Sequence, residues 1–218
     1  MDISLIITNY NREAMVGRAI RSCLSQVIFR SSYEVIVIDD ASKDDSLNTI
    51  KEFSKEIKVF PNKTNKGVAY CSNLGLKKSK GKYWMRVDSD DYLNQFACHI
   101  MKSVLDENEK ISFVYCDHIR VNIRGVKEEK IKLDTDDKLF QHGAGVMFRK
   151  NVLDELNGYD EDLRNAKDYD LLVRLKQAGY KGYYLPIPLY RYYIHGKNMT
   201  LNDDRKYLCH QCGYDNEL

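Results

Sequence analysis

The sequence is short of the residues that mark unusual architectures. Prolines number three and glycines twelve in 218 residues, which argues against a disordered chain or a fibrous repeat. No apolar run is long: that around 35–38 falls far short of the roughly 20 residues that cross a bilayer. Met1-Asp2-Ile3 opens directly into a strand with neither a basic n-region nor an apolar h-region, so no signal peptide is expected. Charge of one sign is missing too. Thirty-four basic residues face 32 acidic ones, net +2, and no field of that size recruits nucleic acid. The six cysteines form no framework. Cys23, Cys71, Cys98 and Cys116 stand singly among apolar residues and read as small reduced core residues. Cys209-His210-Gln211-Cys212 offers one metal-like pair, but structural zinc takes four ligands and no second pair exists. A reducing, cytoplasmic compartment is expected.

What is present is a hydrophobic content of 43%, enough for one core. Apolar and β-branched strands at 3–7, 33–38, 57–60 and 83–87 alternate with helices. The first helix carries Met15, Ala19, Ile20, Cys23 and Leu24 on its apolar side; the next two cover 46–53 and 68–78. Such alternation predicts an α/β, doubly wound parallel sheet, whose ligands bind beyond the carboxyl ends of its strands. Three strands end in polar turns: Asn9 to Asn11, Asp39-Asp40, and Asp88-Ser89-Asp90-Asp91. These turns should converge on one crevice. Three carboxylates within four residues repel one another unless a cation or hydrogen bonds compensate. A hard divalent ion completed by substrate phosphates would do so, and so would a solvated acidic turn.

The second half changes character. A helix at 95–107 precedes a strand at 113–117 and an antiparallel run to about 126, turning at Gly125. The charged segment 127–132 is expected on the surface, and 134–138 as a polar loop able to move. His142-Gly143-Ala144-Gly145 feeds an apolar strand; small residues there admit either a ligand or a tightly packed neighbour. A helix over 171–177 ends at Gly179, a C′ glycine. Asp168 sits near its N-terminus, where a capping acid is one explanation. Short strands are expected at 183–185 and 189–193.

Five stretches taken in order are specific: Thr8-Asn9-Tyr10-Asn11-Arg12, Val37-Ile38-Asp39-Asp40-Ala41-Ser42, Asn65-Lys66-Gly67, Asp88-Ser89-Asp90-Asp91 and Ala166-Lys167-Asp168-Tyr169-Asp170. A sixth runs from Tyr190-Arg191 through His195 to Asn198 and Thr200. Together they resemble the family 2 glycosyltransferases of GT-A fold. The resemblance implies a Rossmann-like, mostly parallel central sheet flanked by helices, with a smaller antiparallel acceptor-side part. It implies one domain over 1–200, with a nucleotide-sugar half at 1–92, an acceptor and catalytic half at 93–200, and a tail at 201–218.

By the same resemblance, Thr8, Asn9, Tyr10, Arg12, Asp40, Lys66, Gly67, Asp88 and Ser89 would hold the nucleotide sugar, Asp40 facing the base. Asp90, with Asp88, Asp91 and His195, would hold Mn²⁺ or Mg²⁺. Asp168 would be the general base of an inverting transfer, and His142, Gly143, Ala144, Gly145, Lys167 and Arg191 would line the sugar and acceptor pocket. The implied partners are a nucleoside-diphosphate sugar, a UDP-sugar by the commonest pattern, and a glycan, glycoprotein or lipid-linked acceptor. One departure stands out: many relatives carry Glu where this chain has Lys167. A lysine there either favours ionised Asp168, making it a weaker base, or points away, since consecutive residues do not share a face. A non-catalytic nucleotide-sugar-binding scaffold and a nucleotidyltransferase are the competing readings; the latter wants a glycine-rich phosphate loop that 8–12 lacks. The basic run Lys77-Lys78-Ser79-Lys80-Gly81-Lys82 is either a solvated helix end or a peripheral contact with an anionic membrane.

Overall fold

Four parallel strands form one half of a single sheet: β1 (Ile3–Asn9), β2 (Tyr33–Asp39), β3 (Lys58–Pro61) and β4 (Tyr83–Asp88), ordered β3-β2-β1-β4. Helices α1 (Glu13–Leu24), α2 (Ser46–Lys51) and α3 (Val68–Lys78) connect them. The computed structural model describes residues 1–135, 139, 143, 145–163, 167–196 and 198. Beyond β4 follow β5 (Tyr92–Leu93), α4 (Ala97–Glu107), β6 (Phe113–Val121), β7 (Lys127–Ile131), β8 (Val146–Arg149), α5 (Lys150–Glu155), α6 (Lys167–Gln177) and β9 (Gly182–Tyr193). The sheet continues β4-β8-β6-β9-β5, with β8 antiparallel to both neighbours and β9 parallel to β6.

The near-continuous apolar strands are explained by cover on both faces. Ile3, Leu5 and Ile7 of β1 point into a core shared with α1 and α4, while Ile6 joins Ile36, Ile38 and Trp84 beneath α3, α5 and α6. The period of two in β4 therefore sets Trp84, Arg86 and Asp88 on the α6 side.

Several elements differ from the sequence expectation. The two expected C-terminal strands are one strand, β9, because its register against β6 slips around Asp117, where Pro188 sits opposite; an irregularity is where a strand tolerates proline. The charged segment at 127–131 is strand β7, exposed as expected but paired antiparallel with β6. Its lysines and glutamates blunt an edge that would otherwise invite pairing. Helix α5 was not anticipated, and α6 begins at Lys167 rather than 171, which puts Asp168 inside its first turn. Cys23, Cys71, Cys98 and Cys116 are buried free thiols, as expected. The basic run ends α3 and leads into the amino end of β4, with Lys82 near Asp106 at 3.6 Å and the Lys80 amide donating to Glu34 at 2.7 Å. It thus lies at the opposite end of β4 from Asp88, about 20 Å away at the usual rise per strand residue. Among the described residues no helix is long and apolar enough to cross a membrane.

Candidate active site

Strand register builds the crevice. Asn9 lies opposite Asp39 and Thr8 opposite Asp88, so the polar ends of β1, β2 and β4 form one edge. Asp39 is consumed in building it: Oδ1 accepts from Asn9 Nδ2 at 2.8 Å and Ser42 Oγ at 2.6 Å, and Oδ2 from the Ser42 amide at 3.0 Å. Ser42 Oγ also accepts the Asn11 amide, and Asn11 and Ala41 both take positive φ to close the paired turns. Asp40 turns toward 62–67. Its Oδ1 accepts Asn62 Nδ2 and the Lys66 amide, both at 2.8 Å, and its Oδ2 accepts the Gly67 amide at 2.7 Å. Lys66 and Gly67 therefore act here through backbone N–H groups that fix Asp40. Tyr10 stands exposed at the rim.

The acidic turn is held from two directions. Arg12 Nε reaches Asp90 Oδ2 at 3.2 Å, and His195 Nε2 reaches the same oxygen at 3.0 Å. Arg18 of α1 donates to the Asp90 carbonyl at 2.7 Å, and its guanidinium lies 3.9 Å from the Tyr193 ring centre and 4.7 Å from that of Tyr92. Tyr190 Oη accepts the Asp88 amide at 3.3 Å. Ser89 is buried within the turn. Asp91 corrects the sequence expectation of a metal ligand. It is 1% exposed, and Oδ1 accepts the Tyr193 amide at 2.8 Å. Burial, with Asp90 and Asp88 as like charges, pushes its pKa well above the usual carboxylate value. Asp91 supports the turn from below and ties it to β9.

Asp168 enters from α6 on the other side. Arg86 grips it with two parallel bonds, Nη1 to Oδ1 at 2.9 Å and Nη2 to Oδ2 at 3.1 Å, while Arg86 Nε takes Asp88 Oδ1 at 3.1 Å. One guanidinium, 6% exposed, thus joins the acidic turn to the α6 acid. Tyr159 packs on it, ring centre 5.5 Å from the guanidinium carbon. Lys167 does not point away: its Nζ lies 3.1 Å from Asp168 Oδ2, because a four-carbon stem in the first helical turn can curl back along its neighbour. Burial raises the Asp168 pKa, but Arg86 and then Lys167 outweigh it and hold the carboxyl well below its usual range. Asp170 pairs with Arg174 at 2.7 Å, and Arg174 donates to the carbonyls of Leu156 and Gly158, docking the helix that carries Asp168.

The small residues before β8 are there for packing. A Cβ on Gly143, at φ +53°, would stand 2.3 Å from Asp168 Cβ, and one on Gly145, at φ +69°, 3.2 Å from Cys116 Sγ and Tyr190 Cβ. Gly143 thus borders Asp168 by close backbone approach, whereas Gly145 is buried against β6 and β9. Arg191 also departs from its expected pocket role: its Nη1 folds back onto the carbonyls of Pro188 and Tyr190. His142 and Ala144, Ala166, Thr200, the cysteine pair of the tail and most of the 134–141 loop lie outside the described residues. Sequence reasoning missed Arg86, Arg18 and Tyr193. Arg86 had one signal, a lone charge inside the apolar strand Tyr83–Asp88.

Among the described residues, no group of three or more His, Cys, Asp or Glu side chains stands ready around one point to hold a metal. The Asp90 carboxylate does supply oxygen donors of the type that Mn²⁺ and Mg²⁺ favour, with the His195 imidazole beside it at 3.0 Å.

Residues 4–156 match the model of glycosyl transferase family 2. The chain belongs to that family. It is 29% identical over 213 residues to an uncharacterized glycosyltransferase of Haemophilus influenzae, covering 93% of this chain and 71% of that one. Its fold matches S. aureus TarS in complex with UDP-GlcNAc at TM-score 0.76 and 23% identity, over 91% of this chain and 60% of that one. The mannosyltransferase PcManGT from Pyrobaculum calidifontis, in complex with GDP-Man and Mn²⁺, matches at TM-score 0.75 and 16% identity, over 94% and 60%. The chain spans less than two thirds of either solved neighbour. The sheet and its flanking helices are thus a GT-A fold.

Proposed function

We propose that this glycosyltransferase is metal-dependent and inverting, and moves a sugar from a nucleoside diphosphate, a UDP-sugar in the first instance, to a hydroxyl of a glycan or lipid-linked acceptor. The observation that carries the proposal is the shared guanidinium of Arg86, which holds an acid of the donor-side turn, Asp88, and an acid of the opposite side, Asp168, across one crevice. Residues 1–92 would form the donor half and 93–200 the acceptor half. Asn9, Tyr10 and Arg12, with Thr8 behind them, would border the nucleoside, and Asp40 Oδ2 would take one donor from the base. Mn²⁺ or Mg²⁺ at Asp90, His195 and Asp88 would supply Lewis-acid stabilisation of the diphosphate. A neighbour holding GDP-Man and Mn²⁺ supports both groups here.

Asp168 Oδ2 would accept the proton of the acceptor hydroxyl as its oxygen attacks the anomeric carbon. The bond to the diphosphate breaks, and the diphosphate leaves with the electron pair from the opposite face. One base with no separate nucleophile predicts a single displacement, hence inversion. Lys167 on Asp168 also favours a second reading, a non-catalytic donor-binding domain, since two cations weaken a base. The two readings separate in one assay: incubation with UDP-GlcNAc, UDP-Glc and UDP-GlcA, Mn²⁺ and a glycan acceptor mixture, with NMR of the product's anomeric configuration. Transfer with inversion supports the enzyme; binding without turnover supports the domain; a retained configuration overturns the mechanism. The cytoplasm is the proposed compartment, in keeping with the four buried free thiols.

A further inference from the structure

We propose that the acceptor is an anion, a sugar or polyol unit bearing a carboxylate or a phosphodiester near the hydroxyl that is glycosylated, and that Lys167 receives its charge. The inference rests on the transferase reading above. Its basis is an ammonium with donors to spare. Arg86 already satisfies Asp168 with two bonds, at 2.9 and 3.1 Å, and Lys167 adds a third at 3.1 Å. Arg86 has a second acid to serve, Asp88. Among the described residues the Lys167 ammonium pairs with Asp168 and with no other acid. Its side chain is nevertheless 9% exposed. An ammonium carries three donors, and burying one with a single partner is costly unless something further answers it.

The geometry also decides which cation can move. Arg86 is fixed between two carboxylates and packed on Tyr159. The Gly143 backbone closes another flank of Asp168, as the 2.3 Å approach of an added Cβ shows. Among the described residues Lys167 is the holder on a flexible stem, with a single ion pair to give up. An acceptor with its own negative charge draws the ammonium from Asp168 Oδ2 and opens one lone pair there for the hydroxyl proton, while Arg86 Nη2 keeps the other. A neutral acceptor meets Asp168 Oδ2 with both Arg86 and Lys167 still on it. Selection of the acceptor and release of the base would then be one event. A Lys167 that merely orients Asp168 would treat neutral and anionic acceptors alike.

The test uses the full chain saturated with UDP and Mn²⁺, and ligand-observed NMR titrations of methyl β-D-glucuronide, glycerophosphoglycerol and neutral methyl β-D-glucoside. These are repeated for Lys167→Gln and Lys167→Arg, with UDP affinity measured in each. At least one anion is expected to bind about tenfold more tightly than the glucoside, the scale of one charge-assisted hydrogen bond. Lys167→Gln should remove that preference, Lys167→Arg should keep part of it, and UDP affinity should be unchanged. The anion that wins tells carboxylate from phosphodiester. Equal binding of all three probes to the wild type, or a preference that survives in Lys167→Gln, overturns the inference alone. Absence of UDP binding by the folded wild type overturns the transferase reading, and the inference falls with it.

Discussion

Replacing Arg86 with methionine removes the cation that Asp88 and Asp168 share. Taking one partner from a buried ion pair costs about 3–5 kcal/mol, since the other charge is left in a poor solvent. Two facts set this site at the low end. Asp168 keeps Lys167, and the Asp168 and Asp88 side chains are 19% and 35% exposed. A loss of about 3 kcal/mol is expected at pH 7, or about 6–12 °C in Tm for a chain of this size. The single tryptophan reports it directly: Trp84 lies 6.0 Å from Tyr159, which packs on Arg86. Thermal unfolding followed by Trp84 fluorescence, with Asp168→Asn and the double variant, completes a cycle. The double variant should lose little more than Arg86→Met alone. The pH dependence has a fixed sign. Asp168 has a lowered pKa in the folded protein, so its contribution is present above the unfolded carboxylate value near 4 and fades as pH falls below it. The gap between wild type and Arg86→Met should therefore narrow in acid. A loss under about 1 kcal/mol at pH 7, or additive single effects, would refute the reasoning.

Three further outcomes follow from the same site. Asp168→Asn should leave UDP binding in Mn²⁺ nearly intact and lower turnover by about a hundredfold or more, the scale of a lost general base; steady-state transfer beside calorimetry tells the two apart. Asp90→Ala should weaken nucleotide and metal together, because Asp90 also anchors Arg12 and His195; parallel titrations of UDP and Mn²⁺ check it. Gly143→Ala should displace Asp168, since the new methyl would lie 2.3 Å from Asp168 Cβ at a backbone φ of +53°; a loss of about 1–3 kcal/mol is the scale of such strain, read by denaturant unfolding, with turnover falling in step.

The parallel half of the fold was legible because its signal is local. Apolar strands, three of them ending in a polar turn, predict both the sheet and the edge where Asn9, Asp39 and Asp88 meet. The second half resisted, because strand partners there are set by long-range pairing: the join of β8 to β4 and of β9 to β6 leaves no mark in the spacing of Val146–Arg149 or Gly182–Tyr193. At the site, acids were readable as acids, but their partners were not. Asp91 has the same residue type as Asp90 and differs in burial and in its partners. Arg86, a charge inside a core strand, went unread because its partner Asp168 comes from the distant helix α6. The orientation of Lys167 depended on a rotamer that sequence spacing does not specify.

Calorimetric titration with UDP, GDP and dTDP, each with and without Mn²⁺ and again after EDTA, tests the central claim most directly. The account predicts that one nucleotide binds in Mn²⁺, with affinity lost on chelation and in Asp90→Ala. No binding of any nucleotide by a protein with a native Trp84 spectrum would contradict it.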